Sequence, residues 1–401
     1  MKVLMAILVL AALLTASAAS ARTLRVGTNK TYKTVRSAAQ AAQNGDTVLV
    51  DAGLYSADVT SWNASNLVVR GVGGRAYLRA DGAQEGGKGI WVLYGTNFTA
   101  ENIEFSGASV PDKNGAGIRF DTTGFLVLRN CYFHDNEDGI LGGCDSILIE
   151  NSFFDHNGYG DGQSHNLYVW GRTFTLRGCY THRAKIGHDV KTRAVNNYIL
   201  YNRIMDESDG TASYEVDIPD GGRSYLIGNV IEQGPHTDNN SIVSYGAESA
   251  SNGVLDLYVI HNTFVNNDTN GGTFLQLRSG TSARVVNNIF YGPGTRWSGS
   301  SSVTASNNYL ETLYNNSPKF ASPSTYDFHL SAGSPSTIVN AGVAPGASAT
   351  GYPLTPTLQY VYDAQSGPRP VVGALDLGAF ESGSGTGDTA PPAAVRDLGY
   401  R

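Results

Sequence analysis

Charge is scarce in this chain. Only 16% of its 401 residues are Asp, Glu, Lys or Arg, against a usual ~25%, which argues against acidic disorder and charge-laced coiled coils. Lys and Arg number 28 against 35 Asp and Glu, for a formal net charge of −7. With no basic tail, bulk attraction to nucleic acid is excluded. Proline is low, at 14 residues, so the chain is neither collagenous nor proline-rich. The cysteines are Cys131, Cys144 and Cys179. Their spacing fits no zinc module, and an odd number leaves either one disulfide or three buried thiols. Long apolar runs are also missing. Val3–Leu14 is too short for a comfortable membrane span, and no other run approaches ~18 residues.

That short run has a different reading. Lys2 supplies a positive start, Val3–Leu14 an apolar core, and Ala19-Ser20-Ala21 a small-residue cleavage site before Arg22. Residues 1–21 are therefore expected to be a secretory signal, placing the protein outside the cell or in the periplasm. Residues 22–381 form the expected domain. Residues 382–401 form a Gly/Ser linker with a truncated tail.

Glycine is abundant, at 48 residues, as is tyrosine, at 22, and the apolar 41% suffices for a core. A short β-prone run leading into Asn or Gly, then into apolar residues, recurs along the chain. Examples are Leu126-Val127-Leu128-Arg129-Asn130-Cys131-Tyr132-Phe133 and Tyr225-Leu226-Ile227-Gly228-Asn229-Val230-Ile231. The markers fall at Gly71, Asn102, Asn130, Asn151, Gly178, Asn202, Asn229, Asn262, Asn288 and Asn308. A variable period in the twenties, without helical periodicity, is that of a solenoid whose coils keep their strands and vary their loops. Stacked coils advance about 4.8 Å, so the Asn residues are expected to form corner ladders. Cys131 and Cys179, two coils apart at about 10 Å, should not bridge.

The repeat, together with Thr34–Gln43, resembles the right-handed parallel β-helix of the pectate-lyase-like superfamily. In Thr34–Gln43, Val35, Ala38, Ala39 and Ala42 share a helical face, and Gly45 is expected to end the helix. The resemblance implies an all-β, single-stranded right-handed parallel β-helix of about ten coils, with an N-terminal helix capping the open first coil. Asp327-Phe328-His329-Leu330, Ser334-Pro335 and Asp376–Glu381 look like the C-terminal closure of such proteins.

About ten residues before each marker lies another strand with period-two alternation. Its inward pairs include Ile118/Phe120, Leu167/Val169, Val190/Thr192, Val216/Ile218, Val243/Tyr245 and Leu275/Leu277. The residues between them, Arg119, Tyr168, Lys191, Asp217, Ser244 and Gln276, should then point outward in one column. Asn166, Asp189 and Glu215 flank the column on its N-terminal side, and Trp170, Arg193 and Arg278 on its C-terminal side. His165, His188 and Tyr214 open the strands. Aromatics beside paired acids and bases suit a sugar-binding cleft, because rings stack on sugars and charges fix hydroxyls and carboxylates. The remaining histidines, His134, His156, His182, His236, His261 and His329, show no ligand spacing and are read as turn or ladder residues.

Three functions fit this face. The first is a polysaccharide lyase cleaving a uronic-acid polymer by β-elimination, which needs a base and a cation to neutralise the carboxylate. The segment Ile186-Gly187-His188-Asp189-Val190-Lys191-Thr192 is similar to the strand carrying the lysine base in alginate and chondroitin lyases of this fold. The resemblance thus implies Lys191 as base, with Arg193 and His188 beside it. Those enzymes carry an arginine on the following coil, where this chain has Glu215 and Asp217. His165, Asn166, Tyr168, Trp170, Tyr214, Gln276 and Arg278 are the expected substrate contacts. Asp189, Glu215 and Asp217 are candidate calcium ligands, as in pectate lyases. The second function is an inverting hydrolase of polygalacturonase type, built on the same three carboxylates. The third is a carbohydrate-binding or surface protein without catalysis, in which Lys191 merely satisfies Asp217 and Glu215. The expected partner is an acidic polysaccharide. No nucleic acid and no membrane span after signal removal are expected, and the protein is read as a monomer.

Overall fold

The computed structural model describes residues 21–299, 301–370 and 372–383. Most of the expected signal and all but the first two residues of the expected tail lie outside the described residues. Strands of the chain join into one 29-stranded sheet, wound so that each coil pairs in parallel with the coils before and after it. Three faces result. The first runs from Thr23–Val26 through Phe125–Arg129 to Ser302–Ser306. The second runs from Thr60–Trp62 through His188–Thr192 to Thr295–Ser298. The third includes Tyr132–His134, Arg203–Met205 and Tyr309–Glu311. About ten coils stack, as the repeat predicts. Among the described residues, no helix is long and apolar enough to cross a membrane.

The marker column resolves into two neighbouring columns. Asn102, Asn130, Asn151, Gly178, Tyr201, Gly228, His261, Asn287 and Asn307 all have φ between +49° and +67°. They make the bend from the first face to the third, which explains the preference for Asn and Gly. The following residue points inward. There Asn202, Asn229, Asn262, Asn288 and Asn308 form a ladder, each side-chain NH2 donating to the next carbonyl oxygen at 2.9–3.0 Å. In earlier coils Cys131, Ser152 and Cys179 hold this inward position. The sequence markers therefore slip by one residue after Gly178. All three cysteines are free and buried, and Ser152 separates Cys131 from Cys179 as the two-coil spacing requires.

Inside, equal positions stack like with like. Phe105, Phe133 and Phe154 lie ring on ring at 4.9 Å. The capping helix is shorter than expected, Val35–Ala41, with Thr34 as N-cap and Val35, Ala38 and Ala39 buried. It ends at Ala42 rather than Gly45, because the buried Asp46 carboxylate takes the backbone N–H of Gln43 and turns the chain.

The C-terminal segments add two short antiparallel pairs, Phe320–Ser322 with Asp327–Leu330 and Leu358–Val361 with Gln365–Pro368. They close a side as well as an end. Phe320, Phe328, Ile338, Tyr360 and Phe380 pack on Tyr132, Phe153, Tyr180 and Met205 of the third face. The second face is left uncovered by this apolar packing.

Candidate functional site

Alternation places the second-face column where the sequence puts it. Tyr168, Lys191, Asp217, Ser244 and Gln276 are paired rung to rung. They face outward because their neighbours Val190, Thr192, Val216 and Ile218 are fully buried. The sequence alternation skips one rung of the column: Leu141 stands between Arg119 and Tyr168. The marker Asn151 follows its strand, but the inward position there is Gly142, which hides the alternation. Gly143 on that coil leaves room for the indole of Trp170, whose Cδ1 lies 2.1 Å from where a Cβ would stand. Trp170 is therefore laid back along the sheet, edge-on to Tyr168 with ring centroids 5.7 Å apart.

Lys191 and Arg193 meet acids from outside their own strand. The Lys191 Nζ lies 3.1 Å from Asp217 Oδ2 and 3.3 Å from Glu248 Oε1, and 5.4 Å from the centre of the Tyr168 ring. Arg193 donates from Nε to the Tyr168 hydroxyl at 2.6 Å, from Nη1 to Asp220 at 2.7 Å, and from Nη2 to Glu248. Glu248 thus bridges both cations, although its own side chain is 49% exposed. Burial pushes the Glu248 carboxyl up, but the Arg193 hydrogen bond and the Lys191 charge outweigh it and hold the pKa below the ordinary value. Burial raises the pKa of Asp217 in spite of the Lys191 ammonium. Arg278 donates to the carbonyls of Gly246 and Glu248 and so supports this loop.

The strand starts form a ring ladder. His165 and His188 stack at 4.6 Å, and His188 and Tyr214 lie 5.1 Å apart. The His188 N–H donates to His165 Nδ1, and the Tyr214 N–H to His188 Nδ1. His188 Nδ1 is thereby an acceptor, so the ring proton belongs on Nε2, 3.4 Å from Asp217 Oδ2. Burial, aided by Lys191, pushes the His188 pKa down to about 3, so the ring is neutral.

Asn166, Asp189 and Glu215 do not share the open face. All three are fully buried, because they sit at the bend into the strand and turn toward the corner. Asn166 donates to Asp189 Oδ1 at 2.5 Å and to the His182 carbonyl at 2.8 Å. Asp189 and Glu215 gather with Asp206, one oxygen of each lying within 4.8 Å of the others. Asp217 stands apart from this trio, on Lys191. The expected calcium set of Asp189, Glu215 and Asp217 is corrected accordingly to Asp189, Asp206 and Glu215. Asp206 was missed because it belongs to the third face. Its signal was the acidic run Asp206-Glu207-Ser208-Asp209.

Calcium, implied by the resemblance, fits this corner. Asp189 Oδ2, Asp206 Oδ2 and both oxygens of Glu215 lack hydrogen-bond partners, and hard cations take such carboxylates. Burial drives the pKa values of Asp189 and Glu215 well up and that of Asp206 to about 7, as expected of acids that need a cation or protons for company.

Glu248 and Asp220 were also missed. Glu248 arrives on a loop 55–57 residues beyond Lys191 and Arg193, and Asp220 stands 27 residues beyond Arg193, just after the next coil's strand; no local pattern marks either. His134, His156 and His182 line the third face with acids, away from the candidate site.

A family model described as a right handed beta helix region matches residues 52–204. The structure also overlays that of pectate lyase Pel9A with a TM-score of 0.60, covering 90% of this chain and 96% of that one at 15% identity. The fold is a right-handed parallel β-helix of the pectate-lyase-like type. Partial overlays of this β-helix reach an alginate lyase of family PL6, AlyGC, with a TM-score of 0.39, 14% identity and coverage of 73% of this chain and 40% of that one. The GH136 lacto-N-biosidase from Eubacterium ramulus gives 0.39 at 12% identity, covering 73% and 68%. No curated protein matches the chain. At these identities the likeness concerns the β-helix alone, and chemistry must be argued from the residues.

Proposed function

We propose that this protein is an exported polysaccharide lyase that cleaves a uronic-acid-containing polymer by β-elimination. The observation that carries this reading is Glu248. A solvent-reachable carboxylate lies across Lys191 and Arg193, so the pair is built to hold the carboxylate of an incoming uronate. In the reaction the substrate carboxylate displaces Glu248 and is neutralised by Arg193. Lys191, having passed its ammonium proton to Asp217, removes the proton alpha to the carboxylate. The electron pair left on carbon forms the new C=C bond as the bond to the glycosidic oxygen breaks; that oxygen takes the proton Lys191 has removed, and Asp217 returns its proton to Lys191. Asp217 is suited to receive the lysine proton because burial favours its neutral acid. His188 positions Asp217, and Tyr168 and Tyr214 offer ring faces to sugars. Asp189, Asp206 and Glu215 would hold calcium in the corner behind the strand, where a cation would neutralise and order the three buried acids.

The hydrolase reading loses support, because two of its three carboxylates, Asp189 and Glu215, are fully buried and cannot flank a glycosidic bond. The binding-only reading separates by experiment. Polyuronates and glycosaminoglycans are incubated with the protein while unsaturated-product absorbance and reducing ends are followed separately. The lyase gives both signals. Reducing ends alone indicate a hydrolase, and binding with neither signal indicates a binding protein.

A further inference from the structure

Beyond Lys191, toward the C-terminal end of the second face, an open groove of about 560 Å³ runs beside Tyr214 and Gln276. Gln276 is three rungs from Lys191, about 14 Å at 4.8 Å per coil. A sugar chain laid along the sheet through the Lys191 site therefore enters the groove.

Its lining differs in kind from the Lys191 end. Asp238, Asn240, Ser241 and Gln276 contribute carboxylate, amide and hydroxyl groups. Among the described residues, the side chains of Asp238, Asn240 and Gln276 make no hydrogen bond within the protein. Asp268 accepts from the backbone N–H and the side chain of Asn270 at 2.9 and 2.8 Å, which leaves its second oxygen for other donors. Among the described residues, no Lys, Arg or His lines the groove. Carboxylates and amides without a cation bind vicinal hydroxyls and repel a second carboxylate. Tyr214 supplies a ring face at the entrance.

We infer that this groove is a subsite for an uncharged sugar, so that the substrate is a heteropolymer in which uronate residues are separated by neutral ones. The inference rests on the lyase reading for the uronate at Lys191 and for the direction in which the chain lies.

The test compares equilibrium binding of two oligomers to the full protein in chelator, with unsaturated-product absorbance followed on the same samples. One is oligogalacturonate, with a carboxylate on every residue. The other is a hyaluronan oligomer, in which glucuronate alternates with an N-acetylated neutral sugar. The alternating oligomer is expected to bind about tenfold more tightly, the factor that one or two hydrogen bonds supply. Gln276→Ala should weaken it about three- to tenfold. Asp238→Asn should raise the affinity for oligogalacturonate and leave that for the alternating oligomer unchanged. Equal affinities overturn the inference, as does an Asp238→Asn variant that shifts both ligands alike. Added calcium that brings oligogalacturonate level with the alternating oligomer also overturns it, since the groove acids then bind polyuronate through the cation. If neither oligomer yields unsaturated product, the lyase reading falls while the affinity ratio still reports on the groove. If both bind alike and product forms, the groove reading falls and the lyase reading stands.

Discussion

Lys191 and Asp217 occupy adjacent rungs of one column, with the amine 3.1 Å from the carboxylate. Both side chains are nearly enclosed, at 10% and 3% exposure. The pair thus serves two ends at once, since it satisfies two buried charges and also stands where a sugar chain would pass.

These two roles come apart by mutation. Lys191→Ala is expected to abolish formation of unsaturated product. It also leaves the buried Asp217 without its cation, which should cost about 1–3 kcal/mol in denaturant unfolding. Adding Asp217→Asn should restore most of that stability without restoring turnover. A Lys191→Ala protein that retains full activity excludes the proposed base. A double variant that regains activity with stability identifies the pair as purely structural.

Removing the bridging carboxylate has the opposite sign. Glu248→Ala frees Lys191 and Arg193 for the substrate, so uronate oligomers should bind about three- to tenfold more tightly by calorimetry. The gain should shrink in high salt, because Glu248 is half exposed and its field is screened. Unchanged or weaker binding would mean that the substrate does not use this carboxylate position.

Chelation should act on stability through the corner acids. With calcium at a hundredfold excess over its Kd, the folded state gains about 2.7 kcal/mol. The melting temperature should therefore fall in EDTA and recover with calcium. Asp206→Asn removes one ligand and should abolish the calcium response. A melting temperature indifferent to calcium in the unmutated protein would leave the three acids protonated and without a metal.

Acid should destabilise the protein through histidines that are buried neutral. His188 and His261 both have pKa values pushed down to about 3 by burial. His261 ties the C-terminal closure to the coils, with Nδ1 at 3.0 Å from the Asp376 carbonyl and Nε2 at 2.8 Å from the Asn287 amide. Below pH ~6.5 the unfolded chain binds protons that these folded rings refuse. Stability is thus full above pH ~6.5 and falls toward pH ~3, by about 1.4 kcal/mol per pH unit for each ring. Urea unfolding across that range should show the slope, and His261→Gln should reduce it.

The coil, the face and most of the outward column are legible in the residue pattern. Those features follow from short-range rules: a bend that needs positive φ favours Asn or Gly, and a strand buried on one side alternates with period two. Tyr168, Lys191, Asp217 and Gln276 could be placed on one line because each is fixed by its immediate neighbours. Where the inward position is a glycine, as at Gly142, alternation gives no signal and the rung of Leu141 went unplaced. Which charges meet depends on how distant segments fold against one another. Alternation assigns Asp189 and Glu215 to the outside, but near the start of a strand the backbone is still turning, and both carboxylates swing into the corner, where Asp206 arrives from another face. Glu248 reaches Lys191 and Arg193 from a loop two coils further on. Contacts of that kind depend on how far a loop folds back over the sheet, and no spacing within a single coil encodes that distance.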